Sequence, residues 1–184
     1  MLYIITALKP EAQAFIDRSK LQKSKLGDFN IFTNKDITLI VSGLGVKNAA
    51  LATQTLINHF DITDYDVYVN VGICGASQKY KIGELLQIDA INYKNKTYTL
   101  HKDSTTAIEC LDEESSEEKY EIVDMESFGF YDAVIHSPAI KSSYIFKVVS
   151  DHFEPHKVTK DGTKSLIFNV IDAINNIIFT KAKS

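Results

Sequence analysis

Ser143–Asp151 reads SYIFKVVSD, an apolar run that ends on a hydroxyl and a carboxylate. Its length and its β-branched and aromatic content predict a buried strand over Ser143–Val149, with Val148-Val149-Ser150-Asp151 closing it. Upstream, Val123-Asp124-Met125-Glu126-Ser127 opens a predicted helix over Glu126–Ile135. Each motif sets a carboxylate at the edge of an apolar element, where a strand hands over to a loop or helix. In open α/β sheets ligands bind at such edges. Two carboxylates there suit chemistry on a sugar or a base: one holds hydroxyls and the other delivers a proton.

Further outward, strands alternate with helices. Leu2–Leu8 is a buried first strand, followed by a helix from Pro10 to about Lys20. Phe29–Thr33 and Ile37–Val41 read as a hairpin around Asn34-Lys35-Asp36. After the turn Ser42-Gly43-Leu44-Gly45, a helix carries Val46, Ala49, Thr53, Leu56 and Phe60 on one face. Val67–Val71 is the next buried strand and Gly72-Ile73-Cys74-Gly75-Ala76 the turn after it. Leu85–Asn92 and Thr97–Leu100 read as strands, and the acid-rich Leu111–Lys119 as a solvated loop. Ile167, Val170, Ile171, Ile174 and Ile178 form the apolar stripe of a final helix. The pattern predicts an α/β fold, a three-layer sandwich with a mixed, largely parallel central sheet, in a single domain over residues 1–184.

Composition narrows the partners. The chain has 184 residues, 45% hydrophobic and 24% charged, with a net charge of −4. That balance argues against nucleic acid and anionic membrane as partners. Arg18 is the only arginine, although arginine is the preferred bidentate ligand for phosphate. Cys74 and Cys110 form neither a CxxC nor a zinc spacing and read as free thiols of a reducing compartment. The N-terminus lacks the basic region of a signal peptide, and no apolar run approaches the ~20 residues of a membrane span. A cytoplasmic protein is expected.

Other chemistries are weaker. His152 and His156 have a helical metal spacing, but Pro155 between them disfavours a helix. Glu121, Asp124 and Glu126 read as well as strand-end acids as a metal cluster, so neither a metal nor a cofactor is expected. Ser42-Gly43-Leu44-Gly45 is either half of a phosphate-cradling loop or a turn that needs glycine dihedrals. Gly72-Ile73-Cys74-Gly75 either brings backbone close to a flat ligand or is a tight strand exit. Cys74 has no histidine placed near it in sequence to activate it as a nucleophile. Glu11, just past the first strand, would in any case favour a helix N-terminus by ~0.3–1 kcal/mol.

In order along the chain, Ile4–Glu11 (IITALKPE), Val41–Ala50 (VSGLGVKNAA), Val69–Ala76 (VNVGICGA), Ile82-Gly83-Glu84, Val123–Ser127 (VDMES) and Val148–Asp151 (VVSD) resemble the nucleoside phosphorylase / nucleosidase superfamily. The likeness is greatest to 5′-methylthioadenosine/S-adenosylhomocysteine nucleosidases. The resemblance implies an α/β sandwich around a mixed, partly barrel-like sheet and a homodimer. It implies hydrolysis of the N-glycosidic bond of a purine nucleoside such as methylthioadenosine, without a cofactor. Glu11 would activate the attacking water and Asp151, beside Ser150, would protonate the purine N7. Glu126 would bind the ribose hydroxyls, with Met125 packing on the sugar, and Gly72, Ile73, Cys74 and Gly75 would lie against the substrate. The chain departs from the family at Ile73, where nucleosidases carry a small polar residue, and at Asn70, where phosphorylases place an arginine. Its segment 92–120 is shorter than the family's base-stacking region and offers Tyr93, Tyr98 and Tyr120. A phosphorylase, or a non-catalytic relative that lost the base pocket, are the alternatives.

Overall fold

The computed structural model describes residues 1–101, 106–117 and 119–181. The chain runs β1 (Leu2–Thr6), α1 (Lys9–Ser19), β2 (Gln22–Leu26), β3 (Phe29–Thr33), β4 (Ile37–Val41), α2 (Val46–His59) and β5 (Val67–Ala76). It continues through β6 (Leu85–Ile88), β7 (Ala90–Tyr93), β8 (Lys96–Thr99), β9 (Ala107–Cys110), β10 (Ile122–Asp124), α3 (Ser127–Ile135), β11 (Ser142–Asp151), a 3₁₀ turn at Pro155–Lys157 and α4 (Lys160–Lys181). The eleven strands of the described residues join one mixed sheet in the order β2-β3-β4-β1-β5-β10-β9-β7-β8, with β11 lying along β5 and β6 along β11. At its centre β4, β1, β5 and β11 are parallel neighbours.

Central strands buried on both faces need apolar residues at every position. Ile4, Val69 and Phe146 pack on one side with Phe15 of α1 and Ile167 and Ile171 of α4. Ile5, Tyr68 and Ile145 pack on the other with Leu56 of α2 and Phe130 of α3. The result is the expected three-layer α/β sandwich. The β3–β4 hairpin also forms as read, with Asn34 Oδ1 accepting from the N–H groups of Asp36 and Ile37.

Several local readings are corrected. Residues 72–76 are not a turn: β5 continues through Ala76 because β11 runs beside it as far as Gly75, and the ladder overrides the glycines. Leu85–Asn92 is two strands, not one. At Asp89 the backbone leaves the ladder, donating to the Thr106 carbonyl and accepting from Leu100 N–H, so β6 pairs with β11 while β7 pairs with β8 and β9. β2 was not readable, because Gln22–Leu26 carries no apolar alternation and forms a sheet edge. The opening of the VDMES motif is a three-residue strand, β10, before the helix begins. Among the described residues no helix is long and apolar enough to cross a membrane.

α3 meets α2 at Gly129, where an added Cβ would come 2.0 Å from the Val46 carbonyl oxygen. Alanine would gain about 1 kcal/mol of helix propensity, but at that distance the two helices must separate. Gly129→Ala is therefore expected to cost more than ~2 kcal/mol net, read as a lower denaturant midpoint; an unchanged midpoint would show that the helix contact yields freely.

Candidate active site

β5 has β11 along one edge, so β1 and β10 share the other. The pairing with β1 ends at Asn70 and that with β10 begins at Gly75. Backbone groups in this gap need partners from elsewhere. The first turn of α1 supplies one: Glu11 Oε1 accepts from Ile73 N–H at 2.9 Å, and Oε2 from Ala7 N–H at 3.0 Å and Leu8 N–H at 2.8 Å. A Cβ at Gly72 would lie 3.0 Å from Glu11 Oε1 and 3.4 Å from Lys147 Nζ, so the bare backbone leaves room for both charged groups.

Lys147 pairs in register with Gly72 and is 1% exposed. Its Nζ lies 2.7 Å from Asp124 Oδ2. Asp124 also accepts from Ser127 N–H at 2.9 Å, Ser127 Oγ at 2.6 Å and Glu126 N–H at 3.3 Å, and so caps the start of α3. That cap orients Glu126, whose Oε1 accepts from Gly45 N–H at 2.9 Å at the head of α2.

Four ionisable groups thus share a poorly solvated space. Burial, then the neighbouring Asp124 carboxylate, push Glu126 up to about 7. Burial also raises Glu11, against the opposing backbone N–H groups of Leu8 and Ile73 and the Lys147 charge. Burial works against the charge of Lys147, but Asp124 and Glu126 outweigh it and hold the ammonium above the ordinary lysine range.

Asp151 arrives from the far end of β11. A bulge between Val149 and Asp151 shifts the register so that Asp151, not Ser150, stands opposite Gly75. Asp151 Oδ1 accepts from Glu154 N–H at 2.8 Å and Oδ2 from Ser150 Oγ at 2.7 Å.

One cleft of about 290 Å³ is lined by Glu11, Ile73, Cys74, Gly75, Met125, Glu126, Ser150 and Asp151. Of the nine residues that the sequence assigns to catalysis or substrate binding, only Gly72 is not at its surface; it lies beneath Glu11. Burial pushes the Cys74 thiol up, away from the reactive thiolate. Tyr93 and Tyr98 are not in the cleft: their rings lie against Phe128 of α3, at 4.2 and 4.9 Å between centroids. Among the described residues no group of three or more His, Cys, Asp or Glu side chains is arranged to hold a metal ion.

Sequence reasoning missed Lys147, the bridging role of Asp124, and the wall formed by Leu44, Leu111, Glu113, Glu114 and Ser115. A signal for the first was present: a lysine in the middle of an otherwise apolar strand is buried only when paired.

Solved structures share this architecture. A 5′-methylthioadenosine/S-adenosylhomocysteine nucleosidase from S. pneumoniae, with a transition-state inhibitor, superposes with a TM-score of 0.79 at 15% identity, over 100% of this chain and 99% of that one. The nucleosidase from Colwellia psychrerythraea 34H, in complex with adenine, gives 0.72 at 17% identity over 91% and 93%. The Arabidopsis thaliana 5′-methylthioadenosine nucleosidase in apo form gives 0.71 at 15% over 95% of each chain. No curated protein matches the chain. Residues 2–141 match the sequence model of the phosphorylase superfamily, and with the fold and the cleft in agreement the chain belongs to that superfamily.

Proposed function

We propose that the protein hydrolyses the N-glycosidic bond of a purine nucleoside such as methylthioadenosine. The observation that carries the proposal is the convergence of Glu11, Glu126 and Asp151, far apart in sequence, on one cleft beside Met125. Glycosidic cleavage passes through an oxocarbenium-like state that needs a held sugar, a protonated leaving group and an activated water. Glu126 has one oxygen bound to the backbone and, among the described residues, no partner on the other, which suits it to accept from a ribose diol. Asp151 is oriented through both oxygens and serves as proton donor to the base, with Ser150 as its support. Glu11, whose affinity for a proton burial raises above that of an ordinary carboxylate, takes the proton of the attacking water. Ile73, Cys74 and Gly75 give the substrate an apolar strand surface, and Met125 packs on the sugar.

Hydrolysis is favoured over phosphorolysis because the cleft lining holds no arginine, lysine or histidine among the described residues. A phosphate co-substrate needs cationic donors in line with the sugar. Arg18, the only arginine, is bound to Asp172 of α4. The same reading assigns no cofactor, no metal and no nucleic-acid or membrane partner, the latter supported by the net charge of −4. It assigns one domain over residues 1–184, supported by the single sheet, and a cytoplasmic location, supported by two free cysteines. A homodimer is supported by the exposed Leu51 of α2 and Ile135 of α3. The test is base release from methylthioadenosine and inosine with and without phosphate. Free ribose product, independent of phosphate, is expected; ribose 1-phosphate would make the protein a phosphorylase, and no release by folded protein would make it a non-catalytic relative.

A further inference from the structure

Among the described residues six carboxyl groups line the cleft, Glu11, Glu113, Glu114, Asp124, Glu126 and Asp151. Four of them are held by hydrogen bonds or by Lys147. Glu113 and Glu114 are different. They lie on the exposed loop that follows β9, and among the described residues neither has an ion-pair partner. Their neighbour Asp112 is neutralised, 3.4 Å from Lys94 Nζ and 2.9 Å from the Tyr93 hydroxyl. The nearest buried cation, Lys147, is 1% exposed and turned to Asp124, so it offers nothing to a ligand in the cleft. Carboxylates lining a cleft with low-dielectric walls focus a negative potential into it.

We propose that Glu113 and Glu114 determine specificity by charge: the cleft takes nucleosides that are neutral or carry an ammonium group, and excludes those that carry a phosphate. The inference rests on the nucleosidase reading of the cleft and narrows its substrate class. Two exposed carboxylates acting through water on a phosphate dianion are worth on the order of tenfold in affinity at low salt. Asp124 is neutralised by Lys147, and burial favours the protonated forms of Glu11 and Glu126, so of the inner groups only those that are ionised add to this in the same direction. An ammonium on the ligand experiences the opposite sign, so the ranking is cation, neutral, anion.

The test is equilibrium binding of adenine, adenosine, 5′-amino-5′-deoxyadenosine and adenosine 5′-monophosphate to the protein and to Glu113→Gln/Glu114→Gln. The two substitutions lie on an exposed loop and keep side-chain shape. The readout is each ligand's dissociation constant relative to adenosine. The monophosphate is expected to bind at least about a hundredfold more weakly than adenosine at low salt. That ratio is expected to fall about tenfold in the double variant, and to shrink at about 0.5 M salt in the parent protein. A ratio unchanged by the substitutions, or a monophosphate that binds as well as adenosine, would overturn the inference while adenine and adenosine binding kept the nucleoside reading intact. Failure of adenine and adenosine alike to bind would overturn that reading and this inference with it.

Discussion

Lys147→Met is expected to destabilise the fold by ~3–5 kcal/mol near pH 8, the usual cost of removing one partner of a buried ion pair. Methionine matches the length and apolar stem of lysine, so the loss measures charge rather than volume. Lys147 is 1% exposed and is the only cation among the described residues that faces Asp124, Glu126 and Glu11. Without it three carboxyl groups are buried with only backbone and hydroxyl donors. The sign of the pH dependence follows. Glu126 is raised from 4.5 to about 7 on folding, and Glu11 is also raised. A carboxyl whose pKa is higher in the fold binds more protons there than in the unfolded chain, so its contribution to stability falls as pH rises through the window between the two values. Lys147 restrains that rise; its removal pushes both groups further up and extends the window. The deficit of the variant should therefore be smallest near pH 5 and deepen toward pH 8, in guanidinium melts at each pH. Lys147→Arg, which keeps the charge, should recover part of it. A deficit below ~1 kcal/mol at about pH 8 would mean that the carboxyl groups are solvated well enough to do without a cation.

Asp151→Asn is expected to lower the rate of base release by ~10²–10⁴-fold, the common contribution of a positioned acid, and to leave the fold standing. The amide keeps an oxygen for Glu154 N–H, now bonded at 2.8 Å. Ser150 Oγ, 2.7 Å from the carboxylate, can turn its proton to the Cys74 carbonyl at 3.1 Å. Stability should thus change by no more than about one hydrogen bond, ~1 kcal/mol. The amide has no proton to give to a departing purine, so a nucleoside whose leaving group needs no protonation should lose far less rate. Single-turnover release from methylthioadenosine, with a thermal melt of the same sample, separates the two effects. An Asn variant at the parental rate would remove Asp151 from the chemistry.

The sequence by itself determined the layers and the apolar cores of the central strands. Periodicity in Val46–His59 and Lys160–Lys181, and apolar runs at Leu2–Thr6, Val67–Val71 and Ser143–Val149, depend on which side chains must leave water, and that is a local property of composition. It also placed Glu11, Glu126 and Asp151 at element edges, because each carboxylate flanks an apolar run where an element begins or ends. The tertiary structure alone decided what joins there. Gly72–Ala76 became strand because β11 lies beside it, and Leu85–Asn92 broke at Asp89 because its halves serve different neighbours. The gap on the edge of β5 that receives Glu11 exists only because the pairing with β1 stops at Asn70 and that with β10 starts at Gly75, and the ion pair of Lys147 with Asp124 joins residues 23 apart in sequence. Pairing register and the partner of a buried charge are long-range contacts; no window of sequence contains both sides of them.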